Sequence, residues 1–584
     1  MPAATGKRSV TSTQGGNFVR SQSTRRWTRL LALLLGLAMI AAACGGDDDD
    51  TASEDDGGGD ETPTDSEPDE SDAGDPVPGG KLTYGVEADT SSPWTPANSV
   101  CAISCHMIMR SVFDPLTLFA EDGSIQPNLL ESFESNEDFT VWTLTPREGI
   151  TFHDGTPFDA AAIKANLDAH LASFLTAKTL INVDNVALSD DGASAVVTMK
   201  SPWNRFPNFL SGQIGYQASP TWLAAVADNP ELAAEPVGTG PFVFESYEVG
   251  GSFVATKNAD YWRADEGLPY LDEIEYRVLA DGQARKNALL SGDIDIMHTS
   301  AGLVINDLRE EDGVELTESS SFGETNYTLM NVGNPDSHIS DVRVRRALAL
   351  AVDNNVVLER RGDGVGQVAN GPFSPDQKGY LEDSGYPEYD PEAAKALVEE
   401  YKAEKGIDTV DIAYTTTTDP ANLETGELVK QFWDEVGFNV ELAQIEQGSF
   451  IVTALTGDFE MFGWRNHGGV DPDSQRIWWH SETADDPPNL GLNFGRIKDD
   501  EIDAQLDALR QTSDEAEITA AAEAINRQFA DQVYNLWSTW TVWGIAKDPS
   551  VNGLDTFVLP DGQNEIYGNG IGGSHQVAQL WIGE

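Results

Sequence analysis

Basic residues and cysteine are what this chain has least of. Lys and Arg number 36 against 97 Asp and Glu, a formal charge of −61. That balance excludes nucleic acid, and anionic ligands met on an open surface, as partners. Three cysteines in 584 residues cannot staple such a chain, so hydrophobic cores must hold it, and the length suffices for two or three domains. The eight histidines are scattered. Catalytic signatures are absent too: there is no Gly-x-Ser-x-Gly elbow, no His-Glu-x-x-His and no Walker loop. Gly568-Asn-Gly-Ile-Gly-Gly573 fits a dinucleotide fingerprint, but only eleven residues follow it, too few for the βαβ unit that the motif needs. Acid pairs are too common here to mark a glycosidase dyad. The sequence points away from an enzyme and implies neither cofactor nor metal.

Long apolar runs are equally scarce. The one candidate, 30–43, is unbroken but short for a transmembrane span. It follows Lys7, Arg8, Arg20, Arg25, Arg26 and Arg29, with no acid before it, and ends at Cys44. A basic start, a short apolar stretch and small residues before a cut are the marks of a secretory signal over 1–43. Ala41-Ala-Ala-Cys44 resembles a bacterial lipobox with Ala in place of the usual Leu, which makes Cys44 the expected lipid attachment site; a plain signal peptide cut near Ala43 is the alternative. Thr24-Arg25-Arg26-Trp27 hints at twin-arginine export, although the residues after the pair fit poorly. Residues 44–80 hold fifteen acids and no base, a composition that cannot bury enough surface to offset its ordering entropy, so a disordered acidic tether is expected. Removing both segments leaves 30 basic and 82 acidic residues in 81–584, still net −52. The remaining Cys101 and Cys105 suit a local disulfide in an oxidising compartment, with two buried thiols as the alternative.

The body is organised around 326–353. Tyr327, Leu329 and Asn331 alternate with Thr328 and Met330, which predicts a strand with two differently buried faces. Gly333 and Pro335 stop it. Asp341 then caps a helix on which Val344, Ala347, Leu348 and Ala351 share one stripe. Arg343, Arg345 and Arg346 crowd the start of that helix, where the macrodipole disfavours cations, so carboxylate partners are expected for them. His153 beside Asp154 lies in a Gly-Pro turn with no nucleophile near it, and a structural hydrogen bond is its expected role. Residues 536–545, rich in Trp and β-branched side chains, read as one strand.

The run Asp341-Val-Arg-Val-Arg-Arg-Ala-Leu-Ala-Leu-Ala-Val-Asp353 resembles the extracytoplasmic solute-binding proteins of the peptide/nickel type (family 5), which deliver ligands to ABC importers. Val112-Phe-Asp-Pro-Leu116, Gly149-Ile-Thr-Phe-His-Asp-Gly-Thr-Pro157, Pro236-Val-Gly-Thr-Gly-Pro-Phe242, Asn258-Ala-Asp-Tyr-Trp262 and 457–473 follow the family's order, and the likeness covers nearly all of 79–560. It implies an α/β, two-lobed periplasmic-binding-protein-like fold (type II) with an extra domain. Lobe I would combine 81–110, 235–324 and 538–584, the extra domain 111–234 and lobe III 325–537. Crossovers near 326–329 and 538–543 would form a hinge between the lobes. The implied partners are a peptide or other small solute, an ABC permease, and the membrane through the lipid anchor.

The resemblance also bears on the ligand. Dipeptide-binding members hold the peptide amine with an Asp three residues after a Gly-Trp pair; here that place is His467. They hold the carboxylate with an Arg before a Pro-containing loop; here it is Thr416. With both charged anchors missing, a free dipeptide is disfavoured, because an unpaired buried charge is costly. Asp471 could take the amine through a longer loop, an Asp-Pro turn being its other role. A longer peptide held by backbone hydrogen bonds is the first reading. An uncharged oligosaccharide stacked on Trp464 and Trp94 is the second, and a ligand-presenting sensor or chaperone the third. Arg465, Asn466 and His467 supply polar contacts in the first two, and Trp540 borders the cleft from the hinge.

Overall fold

Two large sheets and one small one carry the molecule. The computed structural model describes residues 74–583 apart from 91–93, 320, 467 and 486–489. The signal, Cys44, His467 and most of the tether therefore lie outside the described residues. The first sheet has seven strands in the order Glu315–Ser319, Trp543–Lys547, Ile296–Thr299, Lys81–Val86, Glu273–Val278, Ser252–Lys257 and Phe242–Glu248. Lys81–Val86 runs parallel to both of its neighbours. The second has six: Gln367–Val368, Asn535–Trp540, Thr325–Met330, Met461–Asn466, Val410–Thr417 and Phe438–Ile445. A separate four-stranded antiparallel sheet, Leu130–Ser135 to Val183–Leu188, forms its own core under Ala160–Ala172 with Trp203 and Phe206 fully buried.

The organising strand Thr325–Met330 is central in the second sheet and buried at all six positions. The two faces expected to differ are both covered: Met330 packs into one core, Tyr327 and Leu329 into another on the opposite side. Alternation here separates two apolar environments, as in sheets clad on both faces. Asp341 caps Val342–Ala351 by accepting from the Arg343 amide at 3.0 Å, and Val344, Ala347, Leu348 and Ala351 are buried as one stripe. The carboxylate expectation holds for Arg343 alone, which pairs with Asp341, Glu400 and Glu404. Arg345 instead donates to the main-chain oxygens of Gln532 and Val533, at the C-terminal end of Glu515–Gln532, and to those of Ile339 and Ser340. Arg346 donates to that of Asp531. Unsatisfied carbonyls at a helix C-terminus are the partial negative charge these cations meet.

The single strand read over 536–545 is two. Asn535–Trp540 belongs to the second sheet and Trp543–Lys547 to the first, so the chain changes sheets at 541–542. It makes the other change between Ser319 and Thr325, just before the strand where the sequence put it. The two crossings lie side by side: the Thr541 amide donates to the Glu324 main-chain oxygen at 2.8 Å, and Asn326 Nδ2 to Thr539 Oγ1 and Thr541 Oγ1.

The small-sheet unit is pinned to the second lobe by a buried cluster. Asp473, fully buried, receives Arg510 Nε at 2.7 Å and Trp203 Nε1 at 2.8 Å, and the Arg510 guanidinium lies 4.0 Å from the Trp203 ring centre. His153 ties the turn beside it to Pro236–Phe242, Nε2 lying 2.9 Å from the Gly240 oxygen; the structural role expected for it is the one it has. No helix among the described residues is long and apolar enough to cross a membrane.

Candidate functional site

A cavity of about 1160 Å³ opens where the two large sheets and the small-sheet unit meet. The first lobe lines it with the strand-end residues Glu87 and Thr299 and the loop Ser300–Gly302, and the small-sheet unit with Asn208–Ile214. The second lobe contributes Asn326–Thr328, Thr416 and Thr417, Trp464–Asn466 and Thr539–Thr541. Most of these side chains sit at strand ends or in the segments just beyond them, where a parallel sheet stops and a ligand can reach its edge.

Deep in the second lobe the wall is aromatic. Phe450 stacks on Trp464 with centroids 5.3 Å apart, and Phe494 meets Trp464 edge-on at 5.1 Å and Trp478 at 5.3 Å. Trp464 Nε1 and Trp540 Nε1 are buried and lack a hydrogen-bond partner among the described residues. Both rings border the cavity, but their N–H groups are closed off in the wall and do not open onto it. Thr416, 2% exposed, lines the same space.

Arg465 crosses the cleft. From Met461–Asn466 it donates to Ser300 Oγ at 2.9 Å, lies 3.7 Å from Glu87 of the first lobe, and pairs at 3.0 Å with Glu324 in the crossing segment. Glu324 also accepts from Trp543 Nε1 at 2.8 Å. Burial works against the Arg465 charge, yet Glu324 and Glu87 outweigh it and hold its pKa above the ordinary arginine value. This arginine is thus already satisfied by protein, and its role is to join the lobes.

Asn466 also lines the cavity and donates to Gln475 at 3.3 Å. Asp471 caps a short turn by accepting from the Asp473 amide, pairs with Arg205 at 3.3 Å and accepts from Asn208. Burial pushes its pKa up, with Arg205 opposing. Its carboxylate is committed to the turn and to the small-sheet unit, the second of the two roles read for it. Trp94 is corrected. It is 1% exposed, packs edge-on against Tyr247 and Phe253 in the first-lobe core, and does not line the cavity; a tryptophan between prolines in a loop folded inward because the loop covers a sheet. Cys101 and Cys105 form a disulfide at the cavity rim. Sequence reading missed Glu87, Glu324, Phe450, Phe494 and Arg361. Arg361 is the penultimate residue of Asn354–Gly362, half-buried and facing the cavity. Nothing in its surroundings in sequence distinguishes it from Arg360, which is exposed.

Two lobes joined by paired crossings around a large cleft define a periplasmic-binding-protein-like fold, here with an additional small-sheet unit. The chain belongs to the bacterial extracellular solute-binding proteins, family 5, whose middle-region model matches residues 124–487. The members of this family are binding proteins of ABC transport and not enzymes. A curated relative, the glutathione-binding protein GsiB of Pectobacterium atrosepticum, is 27% identical over 347 residues, 58% of this chain and 65% of its own. Another, GsiB of Escherichia coli O157:H7, is 28% identical over 355 residues with the same shares. The chain thus matches just under two thirds of the length of these relatives. Among solved structures, the ABC transporter-associated periplasmic binding protein DppA of Helicobacter pylori in complex with the peptide STSA superimposes with a TM-score of 0.75 at 20% identity, over 87% of this chain and 99% of the other.

Proposed function

We propose that this protein captures extracellular peptides, oligopeptides rather than dipeptides, between two closing lobes and hands them to an ABC permease. The observation that carries the reading is the cleft: at about 1160 Å³ it exceeds the usual range for drug-sized ligands, and all three units line it. Relatives described as glutathione-binding and a structural neighbour holding the peptide STSA lend the same support. Lobe I, the extra domain and lobe III take the boundaries read from the sequence, except that lobe III runs on to Trp540 and lobe I resumes at Trp543; the hinge lies between Ser319 and Thr325 and at 541–542, and ligand shifts an open–closed equilibrium by touching both sides. An oligosaccharide keeps only one of its two stacking platforms, Trp464, now that Trp94 lies in the core.

The direct test is mass spectrometry of whatever co-purifies with residues 81–584. Mixed oligopeptides are the expected result; tight calorimetric binding of simple dipeptides would contradict the anchor argument, and a neutral sugar would replace the reading.

Lipid on Cys44 places the body at the outer face of the cell membrane in this proposal, with 44–80 as spacer. Cys44→Ser should move the protein from the membrane fraction to the medium. Unchanged partitioning would remove the anchor from the account.

A further inference from the structure

Every arginine among the described residues except Arg360 and Arg361 makes a hydrogen bond or an ion pair with the protein. Arg360 is exposed to water, where it needs none. Arg361 is half-buried against the cavity in a chain with 97 acidic residues, and still no carboxylate reaches it. Asp419, an acidic lining residue that acts electrostatically on Arg361, is occupied in capping Pro420–Glu435, where it accepts from the amides of Ala421 and Asn422 at 3.0 and 3.1 Å. Glu324 and Glu87 are taken by Arg465. The cavity wall thus contains three guanidinium groups: Arg285, held by the main-chain oxygens of Leu279, Ala280 and His298; Arg465, neutralised from both lobes; and Arg361, left open.

Leaving a cation desolvated without a partner is destabilising. Burial, and next the repulsion of Arg465, pull the Arg361 pKa down to about 10. A bound anion would offset both effects by its attraction for the guanidinium. A guanidinium presents a fixed fork of donors that matches a carboxylate bidentately, and the hydroxyls of Thr416 and Thr417 and the amide of Asn422 line the same part of the wall.

Building on the peptide-capture reading, we infer that Arg361 is the anchor for a carboxylate of the ligand, which in a peptide is the free C-terminus or an acidic side chain. The site selects solutes with an anionic end, although the body that carries it is strongly acidic. The charged anchor absent from Thr416 is supplied by a different element, the last turn of Asn354–Gly362. The neutral oligosaccharide reading leaves Arg361 without a counter-charge and is disfavoured by the same observation.

The test uses the full chain, freed of bound ligand by unfolding and refolding, in wild-type, Arg361→Gln and Arg361→Lys forms. Each is presented with a defined mixture of tri- to pentapeptides lacking acidic side chains, once as free acids and once as C-terminal amides, and retained peptides are counted by mass spectrometry. Wild type should retain the acids at least tenfold over the amides. Arg361→Gln should lose about 10- to 100-fold in affinity for the acids, the range for a lost hydrogen bond to a charged group, and little for the amides; Arg361→Lys should fall between. Equal retention of acids and amides by wild type overturns the inference. If no peptide binds in either form, the peptide reading fails separately. The inference is then decided by trigalacturonic acid against its methyl ester, where no preference for the acid overturns it. Ligand-free Arg361→Gln should melt at the wild-type temperature or above it. Melting several degrees lower would make Arg361 a structural residue and end the proposal.

Discussion

Asp473→Ala should be among the most destabilising single substitutions in the folded body, lowering unfolding free energy by about 3–5 kcal/mol, the usual cost of removing one partner from a buried ion pair. The reason lies in what it leaves behind. Arg510, 5% exposed, keeps its charge with no counter-ion, and Trp203, fully buried, keeps an indole N–H with no acceptor. Because the cluster joins the small-sheet unit to the second lobe, the loss should appear as early, separate unfolding of that unit in urea, followed by the fluorescence of Trp203. The double variant Asp473→Leu with Arg510→Met should recover part of the loss, since removing both charges together leaves only the Trp203 N–H without its acceptor. A urea midpoint for Asp473→Ala within experimental error of wild type would show that the cluster contributes little.

The second large effect is acid sensitivity. Burial lowers the pKa of His153 and His298 to about 4 and of His170 and His575 to about 3. In the unfolded chain all four titrate near 6.5. A histidine held neutral in the fold contributes stability that is fully present above about pH 6.5 and is lost as pH falls toward the folded value. Two buried acids pull the other way. Burial raises Asp114 and Glu565 to about 7, so the fold keeps two protons that the unfolded chain releases above about pH 4. Near pH 5 the four histidines outnumber the two acids, and the unfolded chain binds about two protons more than the folded one. Stability should therefore fall by roughly 2.7 kcal/mol per pH unit there. Urea titrations between pH 7 and 4.5, in 1 M salt so that the surface charge is screened, should show this slope near pH 5, and His170→Gln should reduce it there by about a half. Stability that rises on acidification under these conditions would refute the assignment.

What could be read from the sequence, and what could not, divides along a physical line. The helix Val342–Ala351 was legible because its cap, its stripe and its length are all local. So was the structural role of His153, whose turn offers no chemistry. Failures came where distant segments decide. A run of Trp and β-branched residues over 536–545 reads as one strand because nothing in it says that its halves join different sheets. Arg345 and Arg346 find helix-end carbonyls brought from residues 531–533, which no i, i+4 rule contains. Trp94 reads as a cleft residue from its loop, and is a core residue because that loop is pressed against Tyr247 and Phe253. Arg361 sits in the last turn of a helix, the ordinary place for a cation, and only the folded cavity shows that it lacks a partner.

The place of Trp543–Lys547 in the first sheet sets a timetable for the whole molecule. This strand comes almost last in the chain, yet it lies inside the sheet between Ile296–Thr299 and Glu315–Ser319. Until it arrives, the interior strand Ile296–Thr299 has a bare edge and the outer strand Glu315–Ser319 has no partner in the sheet, and a lobe begun at Lys81 waits on about 460 residues of chain. The second sheet waits as well, because Asn535–Trp540 immediately precedes the same strand. Neither jaw can be finished while the C-terminal segment is still in a ribosome or a translocation pore. A nascent chain is therefore unable to grip a ligand until synthesis is almost over. A truncation that removes Trp543 and everything after it should yield a chain that aggregates rather than a weakened binding protein.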